Sequence, residues 1–246
     1  MLAANFLAEY LPLGGKNTGE ISNQFSNLFT PAPVTFAIWS IIYITLLIFS
    51  VYQLSSVFSR KENIAVEGIV HKIGGLFILV NILNATWIVA WHYQQIAVSV
   101  LIMTILLITL LRLNIHLGVG LSSFNTREKY ISHLPFALYL GWISIATIAN
   151  ITAFLVSINW DGFGLSAVFW TVAMITTGTL ITLFVVLRTN NIFYGLAVIW
   201  AFIGIIAKRY AFMDAEPYLI IPYAAMLGII LILIAVLVKI RSWQRY

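Results

Sequence analysis

Apolar residues in this chain run in long blocks separated by short polar segments, rather than recurring on one face of an otherwise polar helix. Seven blocks stand out, at approximately 33–57, 69–92, 94–113, 133–157, 164–187, 191–207 and 217–238. A helix needs about 20 apolar residues to cross ~30 Å of hydrocarbon, and a segment apolar on every side suits lipid rather than water. No Asp, Glu, Lys or Arg falls in the middle of any block. The pattern predicts an all-α integral membrane protein of about seven transmembrane helices, the sixth being the shortest. Composition agrees: 61% of the 246 residues are hydrophobic and 9% charged, with a mean hydropathy of +0.99. A soluble domain of this length cannot hide so much apolar surface.

Charge sets an expected orientation. Of the 13 Lys and Arg residues, Lys16, Lys208 and Arg209 fall on the N-terminal side of the spans. Arg60, Lys61, Lys72, Arg112, Arg127, Lys129, Arg188, Lys239, Arg241 and Arg245 fall on the other side. Basic residues concentrate in cytoplasmic connections, so the C-terminus and the 58–68 and 114–130 loops are expected in the cytoplasm, with residues 1–32 outside. Lys208 and Arg209 run against that rule. The N-terminus lacks a basic leader, and Glu9 interrupts its short apolar run, so it does not read as a secretory signal. The net charge of +5 comes from basic residues flanking spans, which is a topology signal and not a nucleic-acid surface. There is no cysteine, which removes disulfides, thiol catalysis and thiolate metal sites. Uncharged span centres argue against ion pumps and proton-coupled carriers. A retinal protein needs a lysine deep in its last helix, and Lys239 comes too late in the span.

Depth places polar and aromatic residues together. At ~1.5 Å rise per residue, Trp39 and Tyr43 lie roughly 9 and 15 Å below the outer end of the first long span. The next span, "NILNATWIVAWHY", places Asn84, Trp87 and Trp91 within about 12 Å of the same surface. The fourth, "LPFALYLGWISIATIANITAF", puts Thr147 and Asn150 roughly 10–15 Å down, with Trp142 deeper. Within each set the spacing is three or four residues, so each set shares a helical face. Ala146, and Gly141 beside Trp142, allow close approach of a neighbour. Taken singly, each residue also fits a blander role. Interfacial anchoring explains Trp91, Trp160 and Trp243, and Asn84 and Asn150 fit helix-to-helix hydrogen bonds. Trp142 and Trp200 are too deep for an interfacial belt, and their indole N–H groups require acceptors. The convergence of three spans at one depth favours a cavity.

At these residues the chain resembles the TspO/MBR family, the tryptophan-rich sensory proteins related to the mitochondrial translocator protein. That family carries Trp-x-Pro-Pro-x-Trp-x-Phe…Trp-x-x-x-Tyr at the start of its second span. The segment "FTPAPVTFAIWSIIY" retains Pro31, Phe36, Trp39 and Tyr43, with Phe29, Ala32 and Val34 in place of Trp, Pro and Trp. A Leu-x-x-Asn-x-x-Trp element is matched by Asn84 and Trp87. A Pro-Tyr-x-x-Trp-x-x-x-Ala-Thr-x-x-Asn element is matched by Tyr139, Trp142, Ala146, Thr147 and Asn150, with Leu138 replacing the Pro. The resemblance covers roughly residues 1–157 and is nearest the longer bacterial branch. It implies an outer segment 1–32, whose residues 1–12 stand for a first span, a four-span core at 33–157, and a three-span extension at 158–246. It further implies an outer-facing cavity for porphyrin, haem or another flat hydrophobic ligand (in animals, cholesterol), lined by Trp39, Tyr43, Asn84, Trp87, Trp142, Ala146, Thr147 and Asn150. The rings would form a wall on which a flat ligand stacks. The Gly-, Asn- and Ser-rich "PLGGKNTGEISNQF" would be a mobile lid.

The leading expectation is a receptor or sensor in the bacterial plasma membrane that acts by binding, with a passive transporter of such ligands as the alternative. The expected partners are the lipid bilayer, a hydrophobic small molecule and, from the resemblance, a second copy of the chain; nucleic acid is not among them. No cofactor is required, porphyrin or haem entering only as ligand. No nucleophile–base pair, carboxylate pair or phosphate loop suggests an enzyme, and Asp161, Asp214 and Glu216 read as solvated loop residues. The four histidines, His71, His92, His116 and His133, form no i,i+4 pair, although His92 lies on the side where it could approach a haem iron.

Overall fold

A computed structural model describes residues 1–10, 13–58, 64–121, 129–211 and 219–243. The fold is all-α, with seven helices long and apolar enough to span a membrane among the described residues. Two short helices precede them: α1 (Leu2–Tyr10) and α2 (Thr18–Gln24). A 3₁₀ turn at Pro33–Ala37 leads into α3 (Ile38–Phe58). Then come α4 (Ile64–His92), α5 (Ile96–Leu117), α6 (Leu134–Ser157), α7 (Ala167–Thr189), α8 (Ile192–Ala211) and α9 (Ile220–Trp243). Arg60, Lys61, Arg127, Asp214, Glu216 and Arg245 lie outside the described residues.

Local chemistry sets the helix ends. Asn17 caps α2 by accepting from the Glu20 amide at 2.9 Å, while Glu20 accepts from the Asn17 amide at 2.8 Å. This reciprocal box satisfies two donors that a helix start leaves open. Ser166 accepts from the Phe169 amide at 3.1 Å to start α7. Gly118 closes α5 with φ of 68°, a left-handed conformation that glycine adopts without a Cβ clash.

Packing joins the spans in two groups. Helix α4 lies along α5, α5 along α6, and α3 packs against α4 and α6; α1 rests on α4. Helices α7, α8 and α9 form the second group, and α8 packs extensively on α6. Gly141 makes that α6–α8 contact possible. A Cβ there would sit 2.6 Å from the Tyr194 carbonyl oxygen and 2.9 Å from Ala197 Cβ, so the two backbones approach as only small residues allow. The opposite faces stay apolar and exposed, as with Ile41, Ile44 and Ile48 of α3 and Leu227, Leu231 and Ile234 of α9. Surface of that kind belongs against acyl chains.

Sequence boundaries and observed ones agree to within about five residues, the largest differences being the start of α4 and the end of α9; at α8 the difference has a chemical cause. The apolar run expected at 191–207 continues as helix to Ala211, taking in Lys208 and Arg209. Those two charges end the hydrophobic run without ending the helix. Far from being marginal, this span is the most buried of the seven.

Candidate functional site

Trp39 begins the site. It is the second residue of α3, just after the 3₁₀ turn, and Tyr43 follows one helical turn later. That spacing stacks the rings at 5.2 Å between centroids and 20° between planes. Trp39 is 8% exposed and meets rings from two other helices: Trp87 at 6.0 Å, Tyr139 at 5.7 Å and Trp142 at 6.1 Å, the last two edge to face. Phe36 meets Trp142 edge-on at 5.9 Å, and Trp87 stacks on Trp91 at 6.1 Å and 22°. Offset and edge-to-face pairs each add about 0.5–1.5 kcal/mol beyond area burial. The aromatic cluster is therefore stabilised by its own packing.

Polar groups hold the wall in register. The Trp87 indole donates to Asn150 Oδ1 at 3.1 Å, and Asn150 Nδ2 donates to Ser99 Oγ at 2.9 Å, tying α4 to α6 to α5. Asn84 is fully buried; its Nδ2 donates to the Tyr139 hydroxyl at 2.7 Å, and its Oδ1 accepts from Asn5 Nδ2 at 2.7 Å. Thr147 donates back to the Ile143 carbonyl at 2.7 Å. The Trp142 indole N–H is buried with no hydrogen-bond partner among the described residues. An unmet buried donor costs roughly 1–3 kcal/mol, and it identifies a place where an acceptor would be welcome.

Two spaces adjoin this wall. An interior cavity of about 40 Å³ is bounded by Trp39, Trp87, Trp91 and Trp142, by Ala146 and Asn150, and by Thr18, Ser22, Pro31 and Phe36 of the covering segment. It has room for about one water, whose share of the liquid is ~30 Å³. A groove of about 600 Å³ runs between α1, α2 and α3, past Asn5, Thr18, Phe36, Trp39, Tyr43 and Ile88. That volume falls within the ~300–1,000 Å³ of small-molecule sites. Trp39, Phe36 and Thr18 border both spaces, so their side chains form the partition between them.

The eight residues expected at the site thus divide. Trp39, Trp87, Trp142, Ala146 and Asn150 border the interior cavity, and Trp39 and Tyr43 border the groove. Asn84 and Thr147 border neither; their polar atoms are engaged with the helices around them. Trp91, read from its position as an interfacial anchor, is instead 5% exposed and donates to the Thr18 carbonyl at 3.3 Å. Its place near the end of α4 resembles a belt position, but α2 folds over it and makes it interior. The signal was present in its four-residue spacing from Trp87. Trp200 has the acceptor its depth demanded, the Thr35 carbonyl at 2.8 Å. His92 holds the Ile88 carbonyl at 2.8 Å through Nδ1 and does not border the cavity. Among the described residues, no three His, Asp or Glu side chains gather as metal ligands.

Of the segment expected as a lid, Thr18–Gln24 form the capped helix α2, whose Thr18 and Ser22 border the cavity, and Pro12 lies outside the described residues. Beyond α2, Asn27 accepts from the amides of Phe29 and Thr30 at 3.0 and 2.9 Å, which shapes the turn into Pro31.

A seven-span helical membrane protein with a tryptophan-walled cavity under a folded N-terminal cover is the class this architecture defines. A family model for TSPO-like proteins matches residues 1–238, and the chain belongs to that family. The match continues through α7, α8 and α9, beyond the stretch that carries the tryptophan motifs. No curated protein and no solved structure matches the chain.

Proposed function

We propose that the protein is a membrane receptor or sensor for a flat hydrophobic ligand of the porphyrin or haem type, which it binds without turning it over. The observation that carries the reading is the junction at Trp39, where a groove of ligand size meets a tryptophan-lined cavity. A flat ring entering from the lipid side would lie against the Trp39–Tyr43 stack. Movement of Phe36 and the cover would let its edge reach the unpartnered Trp142 indole, for which a carbonyl or carboxylate oxygen is a suitable acceptor. The proposal includes the orientation expected from charge, with the cavity facing outward and the C-terminus in the cytoplasm of a bacterial cell.

Titrating protoporphyrin IX into the protein in nanodiscs, with tryptophan emission as the readout and inner-filter controls, tests the proposal. Saturable quenching is expected, with affinity about 5–10-fold weaker in Trp142→Phe and Asn150→Ala variants that remain folded, a loss of about 1–1.4 kcal/mol. Linear quenching, identical in all three proteins, would mean that the porphyrin only dissolves in lipid. A passive transporter would use the same cavity. Net porphyrin movement into proteoliposomes beyond that of empty vesicles would favour transport over reception.

A further inference from the structure

A row of contacts joins α8 to the segment that closes the cavity. Trp200, Gly204 and Lys208 recur at four-residue spacing, so they share one face of α8. Each contributes one hydrogen bond to that segment. The Trp200 indole donates to the Thr35 carbonyl at 2.8 Å. The Gly204 carbonyl accepts from the Ala32 amide at 2.9 Å. Lys208 Nζ donates to Asn23 Oδ1 at 2.9 Å, just before the end of α2.

Shape reinforces these bonds. A Cβ on Gly204 would come within 2.6 Å of Thr35 Cγ2 and 2.8 Å of Thr35 Cβ, distances that atoms in contact do not reach. Thr35 is 1% exposed and fills the space a side chain at 204 would need. Lys208 is 8% exposed, and burying an ammonium is costly unless it is paired or hydrogen-bonded. Its position also accounts for a lysine on the side of the membrane that the charge rule disfavours: it serves the cover and not the topology.

We propose that Trp200, Gly204 and Lys208 form a seat for the cavity cover, and that the C-terminal helices thereby position the ligand site. The covalent link is short. Thr35 is held by α8, Phe36 follows it against Trp142, and Trp39 lies three residues later in the first turn of α3. Asn23, held by Lys208, follows Ser22 at the cavity wall. Displacing the seat moves the cavity's roof without touching the residues of its wall on α4 and α6. These three residues are positioning residues, and the inference that they govern ligand affinity rests on the porphyrin-site reading above.

The absence of cysteine makes a direct test available. Ser22→Cys places a single thiol beneath the cover, where the native residue is 8% exposed. Its rate of reaction with a membrane-impermeant maleimide is measured in nanodiscs in the parent background and with Gly204→Ala, Lys208→Met or Trp200→Phe added. Ser157→Cys, at an exposed position, serves as the reference thiol, and unfolding temperature reports whether each variant is intact. Labelling at position 22 is expected to rise about tenfold with Gly204→Ala and severalfold with the other two, as more of the population opens locally. The reference thiol should not change. Adding Thr35→Gly to Gly204→Ala, which removes the atoms that clash, should return the rate toward the parent value.

Unchanged labelling at position 22 in the folded variants would overturn the seat, whatever happens to binding. Porphyrin affinity is measured on the same proteins. Faster labelling with altered affinity supports the whole inference, whereas faster labelling with unchanged affinity leaves the seat standing and refutes the ligand reading on which its role depends.

Discussion

Asn84 offers a quantitative test of how the aromatic site is held. Its carboxamide bridges Asn5 of α1 and Tyr139 of α6, both at 2.7 Å, from a fully buried position on α4. Replacement by alanine removes two interhelical hydrogen bonds, worth about 0.6–1.7 kcal/mol each in a bilayer. The consequences for the two partners differ. Asn5 Nδ2 retains the Met1 carbonyl at 3.1 Å, but the Tyr139 hydroxyl, itself fully buried, loses the partner the structure gives it. A stranded polar group adds roughly 1–3 kcal/mol, so Asn84→Ala should destabilise by about 2–6 kcal/mol in all. Tyr139→Phe removes only one of the bonds and should cost about 1–2 kcal/mol. Because the 84–139 bond is lost in either variant, the double variant should fall short of additivity by about 1 kcal/mol. Denaturant unfolding in mixed micelles, followed by circular dichroism, measures all corners of the cycle. Additive losses, or a cost near zero for Asn84→Ala, would refute the bridge as a structural tie. The same variant separates support from contact. Asn84 borders neither space beside Trp39, so porphyrin affinity of the folded Asn84→Ala protein should stay within about threefold of the parent, under 1 kcal/mol.

Other variants probe the wall and the junction between the helix groups. Trp87→Phe removes the indole donor of Asn150 Oδ1 but leaves the Ser99 hydroxyl at 3.3 Å, and should cost about 1 kcal/mol in the same unfolding assay. Trp142→Phe removes an N–H that has no hydrogen-bond partner among the described residues and should cost less than Trp87→Phe, because no satisfied bond is broken. Gly141→Val forces a side chain against Tyr194 and Ala197; overpacking of this kind costs about 1–3 kcal/mol, read as a lower denaturant midpoint.

Much of the fold was legible because lipid imposes a simple length and polarity rule on every span. The candidate site was legible where it depended on one helix at a time. Trp39 with Tyr43, and Trp142 with Ala146 and Asn150, share faces by spacing alone. What stayed hidden depended on contacts between distant segments. Asn84 lies at the correct depth for the cavity, yet Asn5, 79 residues away in sequence, turns its carboxamide into a bridge. Trp91 sits where an interfacial anchor would sit, and only the return of α2 over α4 encloses it. Lys208 and Arg209 shortened the apparent sixth span because hydropathy registers charge without registering a hydrogen-bond partner. The partner of Lys208, Asn23, is 185 residues away. Similarly, Gly204 carries no signal until Thr35 is seen filling the space above it.

The reading of the aromatic cluster as a ligand site is tested most directly by asking which tryptophans a bound porphyrin approaches. The protein contains eight tryptophans, and replacing them with 5-fluorotryptophan gives each its own fluorine NMR signal, assignable by single Trp→Phe variants. Paramagnetic ferric protoporphyrin is then added in nanodiscs up to one equivalent. The account requires saturable broadening of Trp39, Trp87, Trp91 and Trp142, while Trp160 and Trp170, which pack against each other at 5.2 Å outside the cavity, stay sharp. Broadening strongest at Trp160 and Trp170, or rising evenly across all the signals without saturation, would contradict it.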